Sequence, residues 1–231
     1  MASGKSEIVI LSLGGSLIVP DDIDVEFLRR FRRLVLRHVR KGRRFIIITG
    51  GGRICRKYQA AAGKIARLTK DDLDWLGIHA TRFNAHLMRT IFRDYAHPRV
   101  IRNPNEKVSF REKVLIGAGW RPGCSTDWDA VVMARNMKAS RLANLSNIKY
   151  VYDSDPKHNK DAVPVKEMGW KDFRKLVGSK WDPGANHPFD PIAAREAQRI
   201  GLEVSIMDGR DIRNLDRYLS GKGFRGTVIR G

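Results

Sequence analysis

A chain of 231 residues can bury one substantial core, and its 42% hydrophobic and 30% charged content is that of a globular domain rather than a disordered or fibrous chain. No stretch approaches the roughly 20 apolar residues of a membrane span, so no membrane partner is expected. Lysine and arginine total 44 against 25 aspartate and glutamate, a formal +19, so nonspecific polyanion binding is expected.

The first strand candidate is Glu7 to Leu13 (EIVILSL), which runs straight into Gly14-Gly15. Val25 to Arg40 follows with apolar residues at 28, 31, 35 and 39, one face of a helix. That helix also carries Arg29, Arg30, Arg32, Arg33, Arg37 and Arg40. They read as a solvated face in preference to a nucleic-acid site, because no RNP-type aromatic motif, zinc finger or basic zipper accompanies them. Arg44 to Thr49 is a second strand ending in the triple glycine 50 to 52. Helices are expected from about Ile54 to Arg67 and from Asp71 to Tyr95. Further strands are expected at Lys113 to Ile116 and Leu142 to Leu145, with a helix near Asp127 to Met137 between them. Asp190-Pro191 opens another helix, aspartate as cap and proline in the first turn. Glu203 to Met207 and Thr227 to Ile229 close the chain as strands. This alternation predicts an α/β three-layer sandwich with a largely parallel central sheet, in a single domain over residues 1–231.

Cys55 and Cys124 are the only cysteines, too few for a disulfide framework or a zinc knuckle. Residues 1–8 lack the apolar stretch of a secretory signal, so a cytoplasmic location is expected. The six histidines show no paired ligand spacing, so no direct metal ligand is assigned. Trp170, Trp181 and Phe189 are read as packing or interface residues.

In parallel α/β sheets ligands bind beyond the carboxyl ends of strands. Three glycine-rich turns stand there: Gly14-Gly15-Ser16, Gly50-Gly51-Gly52, and Gly117-Ala118-Gly119 with Pro122-Gly123. Each alone reads as a tight turn. Together they suit a ligand, or pair of ligands, with several phosphates, because glycine lets backbone N–H groups approach an anion. No G-x-x-x-x-G-K-S/T is present, so a P-loop is unsupported. Gly117, Gly119 and Gly123 nearly match a dinucleotide fingerprint, yet the following strand ends at Asn144-Leu145 without the acidic residue a ribose requires.

The opening strand with Gly14-Gly15-Ser16 resembles the first phosphate loop of the amino-acid-kinase family. Gly50-Gly51-Gly52-Arg53-Ile54-Cys55-Arg56 is similar to the GGG-x-x-x-R loop of that family's uridylate (UMP) kinases. Asp74 to Ala85 resembles their D-x-x-G-I-x-A-T-x-x-N helix, and Pro122 to Asp127 the P-G-x-T-T-D of the archaeal-type branch. Tyr152-Asp153-Ser154-Asp155-Pro156-Lys157 resembles the Y-x-x-D-P-K of the ATP lobe. Asp190-Pro191-x-Ala193-Ala194 and Gly226-Thr227-x-Ile229 match the closing helix and strand. The match runs in order from about Ile8 to Ile229.

The resemblance implies the amino-acid-kinase (carbamate-kinase-like) fold, with an acceptor and phosphate lobe over about 1–140 and an ATP lobe over about 141–231. It implies phosphorylation of UMP by ATP, with Mg²⁺ carried by the ATP, in a homo-oligomer built from dimers and possibly a hexamer. It assigns Gly15, Ser16 and Gly52 to ATP phosphates, and Ser146, Tyr152 and Asp155 to the adenosine. Gly51, Asp74, Trp120, Arg121, Pro122, Gly123, Cys124, Ser125 and Thr126 fall to the acceptor. Arg56 lies at the junction and Asp127 is the organising carboxylate, the two catalytic assignments.

Three positions depart from the pattern. Ser12 stands where many members have lysine, leaving Arg53, Arg56 or Lys157 to supply the cation. Lys149-Tyr150 replaces the usual Asp-Gly, and Trp120-Arg121 with Cys124 fill places more often small, polar or histidine. Two alternatives stay open: a family relative with another acceptor (a different nucleotide, isopentenyl phosphate or a carboxylate), or a non-catalytic nucleotide- or RNA-binding protein on the same fold. Cys124 is read as a small pocket-lining residue rather than a reactive thiol.

Overall fold

The computed structural model describes residues 7–154, 158–180 and 187–231. Its centre is a seven-stranded sheet in the order β3-β2-β1-β4-β8-β9-β7. These strands are β1 (Ile8–Leu13), β2 (Arg44–Thr49), β3 (Val114–Gly117), β4 (Arg141–Ser146), β7 (Glu167–Gly169), β8 (Glu203–Asp208) and β9 (Thr227–Arg230). Pairing is parallel throughout except between β8 and β9, where Val204 faces Ile229. A small antiparallel pair, β5 (Val151–Tyr152) with β6 (Pro164–Val165), lies outside the sheet.

Both sheet faces are covered, which is why β1 and β2 read as unbroken apolar runs rather than alternating ones. Val9, Leu11, Leu13, Phe45 and Ile47 join one core with Phe31, Leu34, Val35, Met88, Phe92 and Leu215. Those partners come from α2 (Val25–Arg40), α4 (Lys70–Ile91) with the residues just after it, and α8 (Ile212–Leu219). Ile10, Ile46 and Ile48 point the other way, onto Val131, Ala134, Phe173, Ala194 and Ala197. That layer is α5 (Thr126–Met137), α6 (Trp170–Val177) and α7 (Pro191–Arg199). Trp170 and Phe189 pack inside this second core; Trp181 lies outside the described residues.

Helix ends obey local chemistry. Asp24 caps α2 by accepting from the Phe27 N–H at 2.9 Å, and Thr69 with Asp72 forms a reciprocal capping box on α4. Asp190 caps α7 as expected, accepting from Ala193 N–H at 2.6 Å. The sequence reading omits α6, α8, β7 and the β5–β6 pair. Among the described residues no helix is long and apolar enough to cross a membrane.

The strand order reverses at β1, whose neighbours β2 and β4 continue in opposite directions across the sheet. The crevice beyond the carboxyl ends of β1, β2 and β4 is therefore where a ligand fits.

Candidate active site

The loops after β1 and β2 meet in that crevice. Gly14 N–H donates to Leu145 O at 2.8 Å and Gly50 N–H to Leu13 O at 2.9 Å, stitching the ends of β4, β1 and β2 together. α1 (Gly15–Ile18) and α3 (Gly52–Gly63) start side by side there. A Cβ on Gly15 would lie 2.2 Å from Gly52 N and 2.5 Å from Gly50 O, so only glycine permits the approach. Gly52 adopts φ +73°, the left-handed region that turns the chain into α3. From α4, the Asn84 side-chain amide donates to Gly50 O (2.8 Å) and Gly51 O (3.2 Å). Those carbonyls are thus held toward α4, leaving the first-turn amides of α1 and α3 available to an anion.

The two candidate cations on α3 differ. Arg53 is paired with Asp21 at 2.6 Å. Arg56 is exposed and has no ion-pair or hydrogen-bond partner among the described residues. Lys157, the third candidate, lies outside the described residues, as does Asp155.

Asp127 sits at the start of α5, half-buried under the junction. Its Oδ1 accepts from Ser12 Oγ at 3.0 Å and from Asn144 Nδ2 at 3.3 Å, and its Oδ2 from Asp190 N–H at 3.2 Å. Ser12 supplies a hydrogen bond but no charge. With no cation beside it among the described residues, the Asp127 carboxyl is pushed up to about 7, by burial first and by the neighbouring Asp190 carboxylate second. Burial also raises Asp190, against the opposing N–H of Ala193 and the Ser125 hydroxyl. Asp129, two residues on, is 1% exposed and held well above the carboxylate range by burial. Its Oδ2 accepts from Trp120 N–H at 3.2 Å, while Oδ1 has no partner among the described residues.

The acceptor-side residues also converge. Asp74, on α4, accepts from Gly123 N–H at 2.8 Å across 49 residues of chain, tying that helix to the loop 120–126. Burial raises the Asp74 carboxyl above its usual value. Ser125 caps α5 by accepting from Trp128 N–H at 3.1 Å, while its hydroxyl faces the Asp190 carboxyl. Trp120 stacks on Trp128 with centroids 5.7 Å apart, and the Arg121 guanidinium lies 4.0 Å from the Trp120 ring. Arg82 Nη2 donates to Trp120 O at 2.8 Å. Burial raises the thiols of Cys124 and Cys55, as for small lining residues rather than nucleophiles.

On the β4 side, Ser146 ends its strand and Tyr152 lies in the β5–β6 pair. A cavity of about 200 Å³ opens beside them, lined by Lys149, Tyr150, Asp208, Asp211, Asn214 and Arg225. The sequence reading passed over Asn144, Asp129, Trp128 and Arg82. Only Asp129, as an acid inside an otherwise apolar helical run, carried a visible signal.

Comparison with known proteins bears on the family and the fold. Residues 7–208 match the model of the amino acid kinase family. The uridylate kinase of Methanoculleus marisnigri is 31% identical over 224 residues, covering 96% of this chain and 94% of that one. The uridylate kinase of Thermococcus sibiricus is also 31% identical, over 96% and 98% of the two chains. The crystal structure of uridylate kinase from Archaeoglobus fulgidus superposes with a TM-score of 0.81 at 29% identity, covering 96% of this chain and 99% of that one. Matched along nearly its whole length in both sequence and fold, the chain belongs to the amino acid kinase family.

Proposed function

We propose that this protein transfers the γ-phosphoryl group of ATP to UMP, giving UDP and ADP. The observation that carries the reading is the Asp74–Gly123 hydrogen bond at 2.8 Å. It joins a carboxylate suited to a ribose with the loop 120–126, next to a glycine junction suited to phosphates. Relatives matching along nearly the full length are uridylate kinases.

An oxygen of the UMP phosphate attacks the γ-phosphorus, and the bond to the β–γ bridging oxygen breaks as ADP leaves. Such transfer needs positioning and charge neutralisation rather than a covalent enzyme intermediate. Gly15, Ser16 and Gly52 hold the ATP phosphates through backbone amides, and Gly51 holds the acceptor phosphate. Arg56, the unengaged cation of α3, neutralises the equatorial oxygens in flight. Ser146, Tyr152 and Asp155 hold the adenosine, with the cavity beside Tyr150 as added space on that side. Asp74 takes the acceptor ribose, and Trp120, Arg121, Pro122, Cys124, Ser125 and Thr126 wall the base.

No cluster of three acidic, histidine or cysteine side chains able to grip a metal occurs among the described residues. Mg²⁺ would arrive on the ATP, and Asp127 would be the carboxylate that holds its water ligands. When bound, the ion supplies positive charge to the β- and γ-phosphates. Residues 1–140 then form the acceptor half and 141–231 the ATP half of one domain.

A homo-oligomer accounts for a second feature. No residue of α3 is fully buried, and Tyr58, Ile65, Trp75 and Phe83 of the α3–α4 region are exposed. A second copy covering this face explains why a helix without a buried stripe holds its place.

ADP release from Mg-ATP across UMP, dUMP, CMP, AMP, isopentenyl phosphate, acetylglutamate and aspartate tests the reaction. UMP-selective turnover is expected. Turnover with another acceptor overturns the base-wall assignment, and silence from folded, ATP-binding protein overturns the reaction itself.

A further inference from the structure

The arginines of α2 are not an ordinary solvated face. After Glu26, which pairs with Arg29 in the first turn, α2 contains no acid at all. Arginines three and four apart repel one another, and a helix selected only for solubility intersperses acids to relieve that. On the same side of the sheet, α8 packs against α2 and leaves an open groove of about 460 Å³. Arg30, Arg33 and Arg37 line one wall, Arg213 the other, with Leu34 and Ile212 at the base.

The only acid in this groove is Asp216, already committed to Arg37 at 2.8 Å and to His38 Nε2 at 2.8 Å. Arg30, Arg33 and Arg213 are exposed and have no ion-pair or hydrogen-bond partner among the described residues. Beyond Arg213 a second groove of about 500 Å³ continues, lined by Arg217 and Arg225 with Phe224. Asp211 is its single acid and is paired with Arg225 at 2.6 Å. Six arginines and two neutralised aspartates thus form one cationic track turning on the shared Arg213.

We infer that this track binds the sugar–phosphate backbone of a single nucleic-acid strand. Arg30, Arg33 and Arg37 are spaced about 4.5 and 6 Å apart along the helix axis, a row suited to successive phosphates. A lone mononucleotide would satisfy one cluster and leave the rest of the track empty. Among the described residues the one aromatic lining it, Phe224, is half-buried and packed edge-on against Tyr218, so it offers no platform for base stacking and the readout is of the backbone, without sequence preference. The far end of the track borders the cavity beside Tyr150 through Asp211, Asn214 and Arg225, whereas Arg30, Arg33, Arg37 and Arg213 line no part of that cavity, and the inference stands whether or not UMP is the acceptor.

The test is fluorescence anisotropy of labelled U20 RNA and dT20 DNA with full-length protein, over about 50–200 mM salt. The groove variant is Arg33→Glu with Arg213→Glu. Its control is Lys138→Glu with Lys171→Glu, an equal change of charge on the opposite face of the sheet. Expected is at least a ~10-fold loss of affinity for both oligomers in the groove variant, with a salt slope shallower by about 1.4 for two lost phosphate contacts. The control should change affinity by less than ~3-fold, and UMP phosphorylation should be unaltered in both. Equal weakening of the two variants would reduce the track to bulk charge, and absence of binding by the unmodified protein would likewise end the proposal.

Discussion

Replacing Asp127 with asparagine separates its effect on stability from its effect on turnover. In the native state this carboxyl titrates near 7 rather than at the ordinary 3.8. A group whose native value is raised holds its proton in the folded protein and loses it in the unfolded one between those two pH values. Stability therefore falls as pH rises through the window from 3.8 to about 7, by about 4 kcal/mol in all. Asparagine carries no charge and removes this cost, and it relieves the repulsion on Asp190. It also brings a penalty: Oδ1 can still accept from Ser12 and Asn144, but an NH₂ now faces the Asp190 N–H in place of Oδ2. A donor opposed to a donor costs about 1–3 kcal/mol.

At pH 8 the two effects leave Asp127→Asn more stable by about 1–3 kcal/mol, a rise in Tm of roughly 2–12 °C for a domain of this size. At pH 5 the unfolded carboxyl is already ionised and about 1.6 kcal/mol of that cost has built up, so the penalty offsets it and the variant's advantage falls to between about +0.6 and −1.4 kcal/mol. Thermal denaturation at both pH values and constant ionic strength measures the fall. A Tm difference of the same sign and size at both would falsify the assignment of a raised Asp127. Turnover should fall at least ~100-fold at either pH, since the organising carboxylate is gone.

Arg56→Ala should lower kcat about 100-fold while Arg53→Ala, whose guanidinium is held by Asp21, stays within ~3-fold. Steady-state kinetics giving the reverse order would move the cationic role to Arg53. Ser12→Lys places an ammonium against Asp127, so the acid limb of the kcat/KM–pH profile should shift down by about 1–3 pH units. An unmoved limb would show that Asp127 does not set it. Gly15→Ala must push its Cβ away from Gly52 N at 2.2 Å and should cost about 1–3 kcal/mol together with turnover. Gly63→Ala, whose nearest contact is Leu68 Cδ1 at 3.8 Å, is the matched control and should melt within ~2 °C of the parent.

The parts legible from residues are those governed by local rules. β1 and β2 announce themselves as apolar runs ending in glycine, and α2 by its spaced Leu28, Phe31, Val35 and Val39. α8 carries the same kind of signal, with Asp211 before Ile212, Leu215 and Leu219, yet at eight residues it is short enough to be passed over. β7 and the β5–β6 pair are two or three residues long, below the length at which alternation can be read. The antiparallel entry of β9 beside β8 is a matter of pairing partner, which no periodicity within β9 encodes.

The same division holds for the site. Glycine turns and the Asp190-Pro191 helix start are properties of short segments, so their residue types alone pointed to the crevice and to a ligand with several phosphates, while the Pro122–Asp127 motif spoke only through its resemblance to a family. Which side chains touch there depended on sheet order. Ser12, Asp127, Asn144 and Asp190 come from four separate elements and meet only because β1 lies between β2 and β4. The charge of +19 was present in composition, but its gathering into one track required α8 to lie against α2. Composition fixes how much charge there is and local pattern fixes which faces are apolar; long-range packing decides which charges share a groove and which carboxyls lose their water.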